Sequence, residues 1–128
     1  MTDDQSTRLT MPLGEAMFSQ RSIRRLRPEP IPIEDIRTII EAASKAPSGG
    51  NTQPARYLVL TDPEVILPFG ALYREAWWAK RRDEGKPWTR REDIPAEERV
   101  PRSASLLADE MAGAPCIVLV LSERKVHA

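Results

Sequence analysis

The chain has 128 residues, and its 19 Lys and Arg balance 19 Asp and Glu, so the formal net charge is zero. Hydrophobic residues make up 41% and charged residues 30%, which fits one globular domain over residues 1–128 and is too apolar for wholesale disorder. The neutral balance excludes a polyanion-binding surface over the whole chain, so nucleic acid is not an expected partner.

Residues 1–10 read as a polar, frayed start, and Met1 to Gln5 have none of the layout of a secretory signal. A cytoplasmic location is therefore expected. Thr10 can cap a short helix in which Pro12 suits the first turn, with Leu13, Ala16 and Met17 on one apolar face. Four arginines follow within residues 21–27, and Pro28, Pro30 and Pro32 then predict an extended link. Ile33, Ile36, Ile40 and Ala43 recur at helical spacing, Glu34 and Asp35 sit where an acid complements the helix dipole, and Pro47 ends the helix. Residues 48–52 must be a loop, and Tyr57–Leu60 reads as the first buried strand.

Asp62-Pro63-Glu64 predicts a helix start, which Pro68 breaks or restarts before the apolar series Phe69, Leu72, Tyr73, Ala76 and Trp77. Between Arg74 and Arg102, 16 of 29 residues are charged, and Pro87, Pro95 and Pro101 punctuate the stretch. Such a segment reads as a surface excursion, a lid-like insertion over 74–102 rather than core. Ser103 begins a last helix bearing Leu106, Leu107 and Met111, which Gly113 and Pro115 terminate. Residues 116–121 form a second strand, apolar throughout as if covered on both faces. The longest apolar run, residues 114–121, is far shorter than a membrane span.

Two strands among several helices predict an α/β or α+β sheet short of partners for its edges. Either another chain completes that sheet, or this is the front part of a longer protein.

Two stretches carry chemistry. In Arg21-Ser22-Ile23-Arg24 two guanidiniums flank a hydroxyl, a set that can clamp a phosphate, although a solvated basic loop paired with acids has the same composition. In Ala46-Pro47-Ser48-Gly49-Gly50-Asn51-Thr52-Gln53-Pro54 the glycines let a planar ligand approach the backbone, and Ser48, Asn51 and Gln53 offer donors and acceptors. An ordinary helix-to-strand turn uses the same residues.

Other constellations are negative. Cys116 is the single cysteine, which excludes a disulfide framework and a multi-cysteine metal cluster, and it reads as a buried structural residue. His127 is the single histidine, so neither a metal site nor a Ser-His or Cys-His pair is expected. There is no dinucleotide fingerprint or P-loop. Trp77 shares a helical face with Phe69 and Tyr73 and is expected in the core, whereas Trp78 and Trp88 are expected in the lid.

In order and spacing, the two stretches together resemble the flavin-dependent nitroreductase family. Its front half reads arginine-serine-x-arginine, a Pro-rich link, an amphipathic helix, alanine-proline-serine-x-x-asparagine-x-glutamine-proline and a strand. The resemblance covers about residues 11–122. It implies an α+β fold, a nitroreductase-like mixed sheet flanked by helices, of which about two strands are encoded here. It also implies completion by homodimerisation or by a further C-terminal half, with FMN at the dimer interface. By the same resemblance Arg21, Ser22 and Arg24 hold the FMN phosphate and ribityl chain, while Ser48, Asn51 and Gln53 lie along the isoalloxazine ring. The expected activity is hydride transfer from NADH or NADPH through FMN to a small aromatic electron acceptor, with no side chain acting as a nucleophile. The long aromatic-basic excursion looks like the dehalogenase-like or flavin-destructase-like branches. Three departures stand out: Gln20 where many members carry arginine, Leu26 for phenylalanine, and Ala55 for the common tryptophan. Two other classes fit the residues, a non-catalytic flavin-binding relative and a helical protein-interaction module.

Overall fold

A computed structural model of the chain describes residues 9–123; residues 1–8 and His127 lie outside the described residues. Four helices and two strands run in the order α1 (Leu13–Ser19), α2 (Ile33–Ser44), β1 (Ala55–Leu60), α3 (Pro63–Asp83), α4 (Arg99–Glu110) and β2 (Ile117–Ser122). Single 3₁₀ turns sit at Gly49–Asn51, Arg91–Asp93 and Met111–Gly113. The α+β class expected from sequence is the one observed. The chain divides into two compact units, one made of residues up to Arg21, Ile31–Val59 and residues from Val118, the other of Ser22–Pro30 and Leu60–Ile117.

In the first unit Pro12, not Thr10, occupies the cap of α1 and makes no side-chain cap bond. Leu13 and Met17 are exposed and Ala16 is half-buried, so the expected apolar face meets little of the described chain. Helix α2 starts after Pro32, carries Glu34 and Asp35 in its first turn, and buries Ile36 and Thr38. Thr38 Oγ1 donates to the Glu34 carbonyl at 2.8 Å, which lets a hydroxyl be buried on a helix face.

The two strands pair with each other. Glu123 N–H, just beyond the end of β2, donates to the Pro54 carbonyl, just before the start of β1 (3.0 Å), so the pair is antiparallel. The Arg56–Glu123 ion pair at 3.1 Å reinforces that end. Neither strand contains a fully buried residue, and Leu58, Val118, Val120 and Leu121 are exposed. The expectation of strands covered on both faces is corrected here: no residue of either strand is fully buried, and among the described residues the sheet has no third strand.

In the second unit Asp62 Oδ1 accepts the Glu64 N–H at 2.9 Å and Pro63 takes the first helical position, as the sequence predicts. Pro68 does not break α3, which runs unbroken for 21 residues. A proline forfeits one i→i−4 bond, and the turns on either side carry the helix past it. The buried residues of α3 are Ile66, Gly70 and Trp78, while Leu72 is exposed. Helix α4 begins at Arg99, four residues before Ser103. Pro101 falls in its first turn, where a missing N–H costs nothing. Ser105 and Ala108 are its buried residues, and Ser105 Oγ donates to the Arg102 carbonyl at 2.9 Å.

The hydrophobic cluster of this unit is Trp78, Trp88 and Ile94, with Trp77 packed against it at the half-buried level. Trp77 and Trp78 meet edge to face, their centroids 4.6 Å apart. Trp78 and Trp88, expected in the lid, are thus buried, with Trp77 half-buried against them, and part of the charged excursion is core. Several of its ions form pairs: Arg81 with Glu84 at 2.9 Å, Lys86 with Glu98 at 3.7 Å, and Arg90 with Asp93 at 3.2 Å. Arg81 stacks on Trp77 and Lys86 on Trp88, at 5.1 and 4.8 Å from the ring centroids.

Candidate functional site

Residues 20–32 lie outside helix and strand, and Pro28, Pro30 and Pro32 hold the end of the stretch extended. In the second unit Ser22 and Arg24 line a cavity of about 450 Å³. The same lining contains Arg25, Arg91, Arg99, Arg102 and Ser103, with Ile23, Ala96 and Leu106 supplying its apolar part. Arg24 is half-buried, and its guanidinium donates to Ser103 Oγ at 3.3 Å. Among the described residues no carboxylate lines this cavity. Guanidinium N–H groups and hydroxyls converging without an acid suit phosphate oxygens and do not suit a metal cation. The donor set thus fits the phosphate end of a flavin mononucleotide.

Arg21 behaves differently. Its guanidinium donates to the carbonyls of Gln20 (2.6 Å) and Phe18 (3.4 Å), within its own stretch of chain.

The loop after α2 forms a hydrogen-bonded knot in the first unit. Gln53 N–H donates to Ser48 Oγ at 3.0 Å, and Gln53 Nε2 donates to Asn51 Oδ1 at 2.6 Å and to Ser48 Oγ at 3.4 Å. Asn51 N–H closes the turn on the Ser48 carbonyl at 2.9 Å. The three expected ring-side residues are therefore brought together. Gly50, Asn51 and Gln53 have φ of 59°, 53° and 49°. Glycine and asparagine accept that region readily, whereas at glutamine it costs roughly 1 kcal/mol and is sustained by the two bonds from its side chain.

Sequence reasoning did not find Arg91, Arg99, Arg102 and Ser103 at this site. The spacing Arg99-x-x-Arg102-Ser103 was available as a signal, since residues three and four apart share a helix face once a helix is placed there. Starting α4 at Ser103 hid it. Cys116 is half-buried just before β2, and burial pushes its thiol pKa up, away from a reactive thiolate. Among the described residues there is no group of three or more His, Cys, Asp and Glu that could hold a metal, and no helix is long and apolar enough to cross a membrane.

The family model for the Nitroreductase family matches residues 18–128. The chain belongs to the nitroreductase family. An iodotyrosine deiodinase from Nematostella vectensis is 31% identical over 64 residues, which is 50% of this chain and 24% of that protein. Iodotyrosine deiodinase 1 from Rattus norvegicus is 43% identical over 51 residues, 40% of this chain and 18% of that one. An NADH dehydrogenase from Thermus thermophilus is 50% identical over 48 residues, 38% of this chain and 23% of that one. Each match thus spans about a quarter or less of the relative's length.

Among solved structures, an oxidized iodotyrosine deiodinase bound to FMN and 3-iodo-L-tyrosine superposes with a TM-score of 0.67 at 22% identity, covering 91% of this chain and 59% of that one. A BluB-like flavoprotein from Clostridium difficile 630 gives 0.59 at 23% identity, covering 88% and 49%. At these identities the likeness is one of fold. It shows a nitroreductase-like fold, and the deiodinases agree with the dehalogenase-like branch expected from the long excursion.

Proposed function

We propose that this nitroreductase-family chain binds FMN and serves an oxidoreductase that moves electrons from NADH or NADPH to a small aromatic acceptor, working as a homodimer. The observation that carries the reading is the arginine-lined cavity, free of carboxylates among the described residues, that Ser22 and Arg24 both line. When bound, FMN supplies the redox chemistry, accepting hydride and handing on two electrons. Arg21, Ser22 and Arg24 hold its phosphate and ribityl chain, the arginines neutralising the phosphate and Ser22 adding a hydroxyl. Ser48, Asn51 and Gln53 present amide and hydroxyl groups to the ring and fix its orientation. Residues 74–102 bound the acceptor side, fastened by Trp78, Trp88 and Ile94.

Support for the donor comes from the Thermus NADH dehydrogenase, and support for flavin with an aromatic acceptor from the deiodinase structure that holds FMN and 3-iodo-L-tyrosine. A flavin-binding relative without turnover is the second reading. The test is the absorption spectrum of the purified protein, an FMN titration by fluorescence quenching, and anaerobic bleaching with NADH or NADPH. A yellow protein that bleaches supports the oxidoreductase, and one that stays yellow supports the relative without turnover. A colourless protein that does not quench FMN overturns both.

A further inference from the structure

The cavity that Ser22 and Arg24 share contains more cationic groups than those two residues bring. Arg91 and Arg102 are half-buried, and each is held by a hydrogen bond to backbone: Arg91 Nε donates to the Arg102 carbonyl (3.3 Å), and Arg102 Nη1 donates to the Ile94 carbonyl (2.7 Å). A guanidinium has five N–H donors, so each keeps most of its fork for another partner.

Among the described residues none of Arg24, Arg91 and Arg102 makes an ion pair with a carboxylate. Of the acids near them in sequence, Asp93 is held by Thr89 and Arg90, and Glu98 by Lys86. Three half-buried cations that line one cavity without an acid set up a positive potential there, which an anion lowers. Arg25 and Arg99 are exposed on the same lining and add to the field.

We infer that this cavity is a clamp for a phosphomonoester dianion, and that Arg91 and Arg102 complete it alongside Ser22 and Arg24. A phosphomonoester carries between one and two negative charges near neutral pH and three acceptor oxygens, which matches three guanidiniums and two hydroxyls. The ligand rests on the flavin reading above, since the 5′-phosphate of FMN is the group expected at Ser22 and Arg24. The 2′-phosphate of NADPH has the same chemistry. The charged excursion thereby gains a binding duty, because Arg91 reaches the cavity from within it.

The test uses the full chain as wild type, Arg91→Gln and Arg102→Lys. Inorganic phosphate is titrated calorimetrically, FMN and riboflavin by fluorescence quenching, and NADPH and NADH by the same means. Arg91→Gln should weaken both inorganic phosphate and FMN about tenfold while leaving riboflavin unchanged. Arg102→Lys keeps the charge and a donor for the Ile94 carbonyl but loses the planar fork, so its loss should run the same way and be smaller. A loss confined to NADPH, with NADH and FMN untouched, keeps the clamp and moves its ligand to the donor. Binding of neither flavin, with phosphate still lost in Arg91→Gln, defeats the flavin reading and leaves the clamp standing. Phosphate and FMN affinities that ignore both substitutions overturn the clamp.

Discussion

Gly70 of α3 lies against Ala112 so closely that a Cβ added at Gly70 would run into the Cα, N and Cβ of Ala112. The obstacle is mostly backbone, which cannot swing aside as a long side chain can. Gly70 is buried, and the turn Met111–Gly113 that it meets leads straight into β2. Its role is to admit close approach rather than a special φ. Gly70→Ala should therefore force α3 and this turn apart at a cost of about 1–3 kcal/mol. Urea denaturation measures it, and an unchanged midpoint would mean that the contact yields freely.

Asp93 gives a prediction for acid. The backbone N–H of Thr89 is the main cause that lowers its carboxyl pKa from 3.8 to about 2, followed by the Thr89 hydroxyl, with smaller help from Arg90. A carboxyl held lower in the folded chain favours folding above its unfolded value. That contribution fades as pH falls from about 4 toward 2. Thr89→Val removes the hydroxyl donor and should raise the Asp93 pKa part of the way back, as read by carbon NMR of the carboxyl. Asp93→Asn should flatten the stability profile across the same interval. A profile with the wild-type slope there would show that Asp93 takes no part.

How much of this chain was legible in its residues depended on how local the deciding interaction was. The start of α3 was readable because Asp62 and Pro63 act within one turn, and α2 because its isoleucines and Pro47 do the same. The core of the excursion was not, because Trp78, Trp88 and Ile94 are single apolar residues scattered among ions and meet only in three dimensions. The site divided in the same way. Ser48, Asn51 and Gln53 lie within six residues and bond to one another, whereas Arg24 finds Ser103 across 79 positions of sequence. No spacing rule reaches that far.

The excursion's core can be tested by truncation. Trp88 is 5% exposed and packs with Trp78 and Ile94. Trp88→Ala should cost about 3–5 kcal/mol by emptying that cluster, far more than a substitution in a solvated lid would. A loss within about 0.5 kcal/mol in urea denaturation would return residues 74–102 to the role of a loose surface segment.

Two arginines of the same basic stretch should behave unequally. Arg24 is half-buried, lines the cavity and donates to Ser103, whereas Arg27 is exposed and absent from that lining. Arg24→Ala should weaken FMN roughly ten- to a hundredfold, the worth of a lost charged hydrogen bond, and Arg27→Ala should leave it nearly unchanged. Equal dissociation constants for the two variants would remove Arg24 from the phosphate site.

The last prediction concerns association. The described strands form a two-stranded sheet whose outer edges carry unpaired backbone groups, and Leu58, Val118, Val120 and Leu121 are exposed on it. Leu13, Met17 and Phe18 of α1 are exposed as well, at 75%, 67% and 85%. Apolar side chains and open strand edges together drive pairing with another chain, because both the hydrophobic surface and the backbone donors gain partners at once. The 128-residue chain should therefore sediment as a dimer or larger species. Val120→Lys puts a charge on an exposed face of β2 without disturbing a buried residue, and it should shift the distribution toward monomer. A second lysine at Phe18, tested separately, shows whether α1 belongs to the same interface: a shift with both variants places sheet and helix in one contact, and a shift with Val120→Lys alone confines it to the sheet. A wild-type chain that sediments as a monomer at every concentration would contradict the homodimer outright.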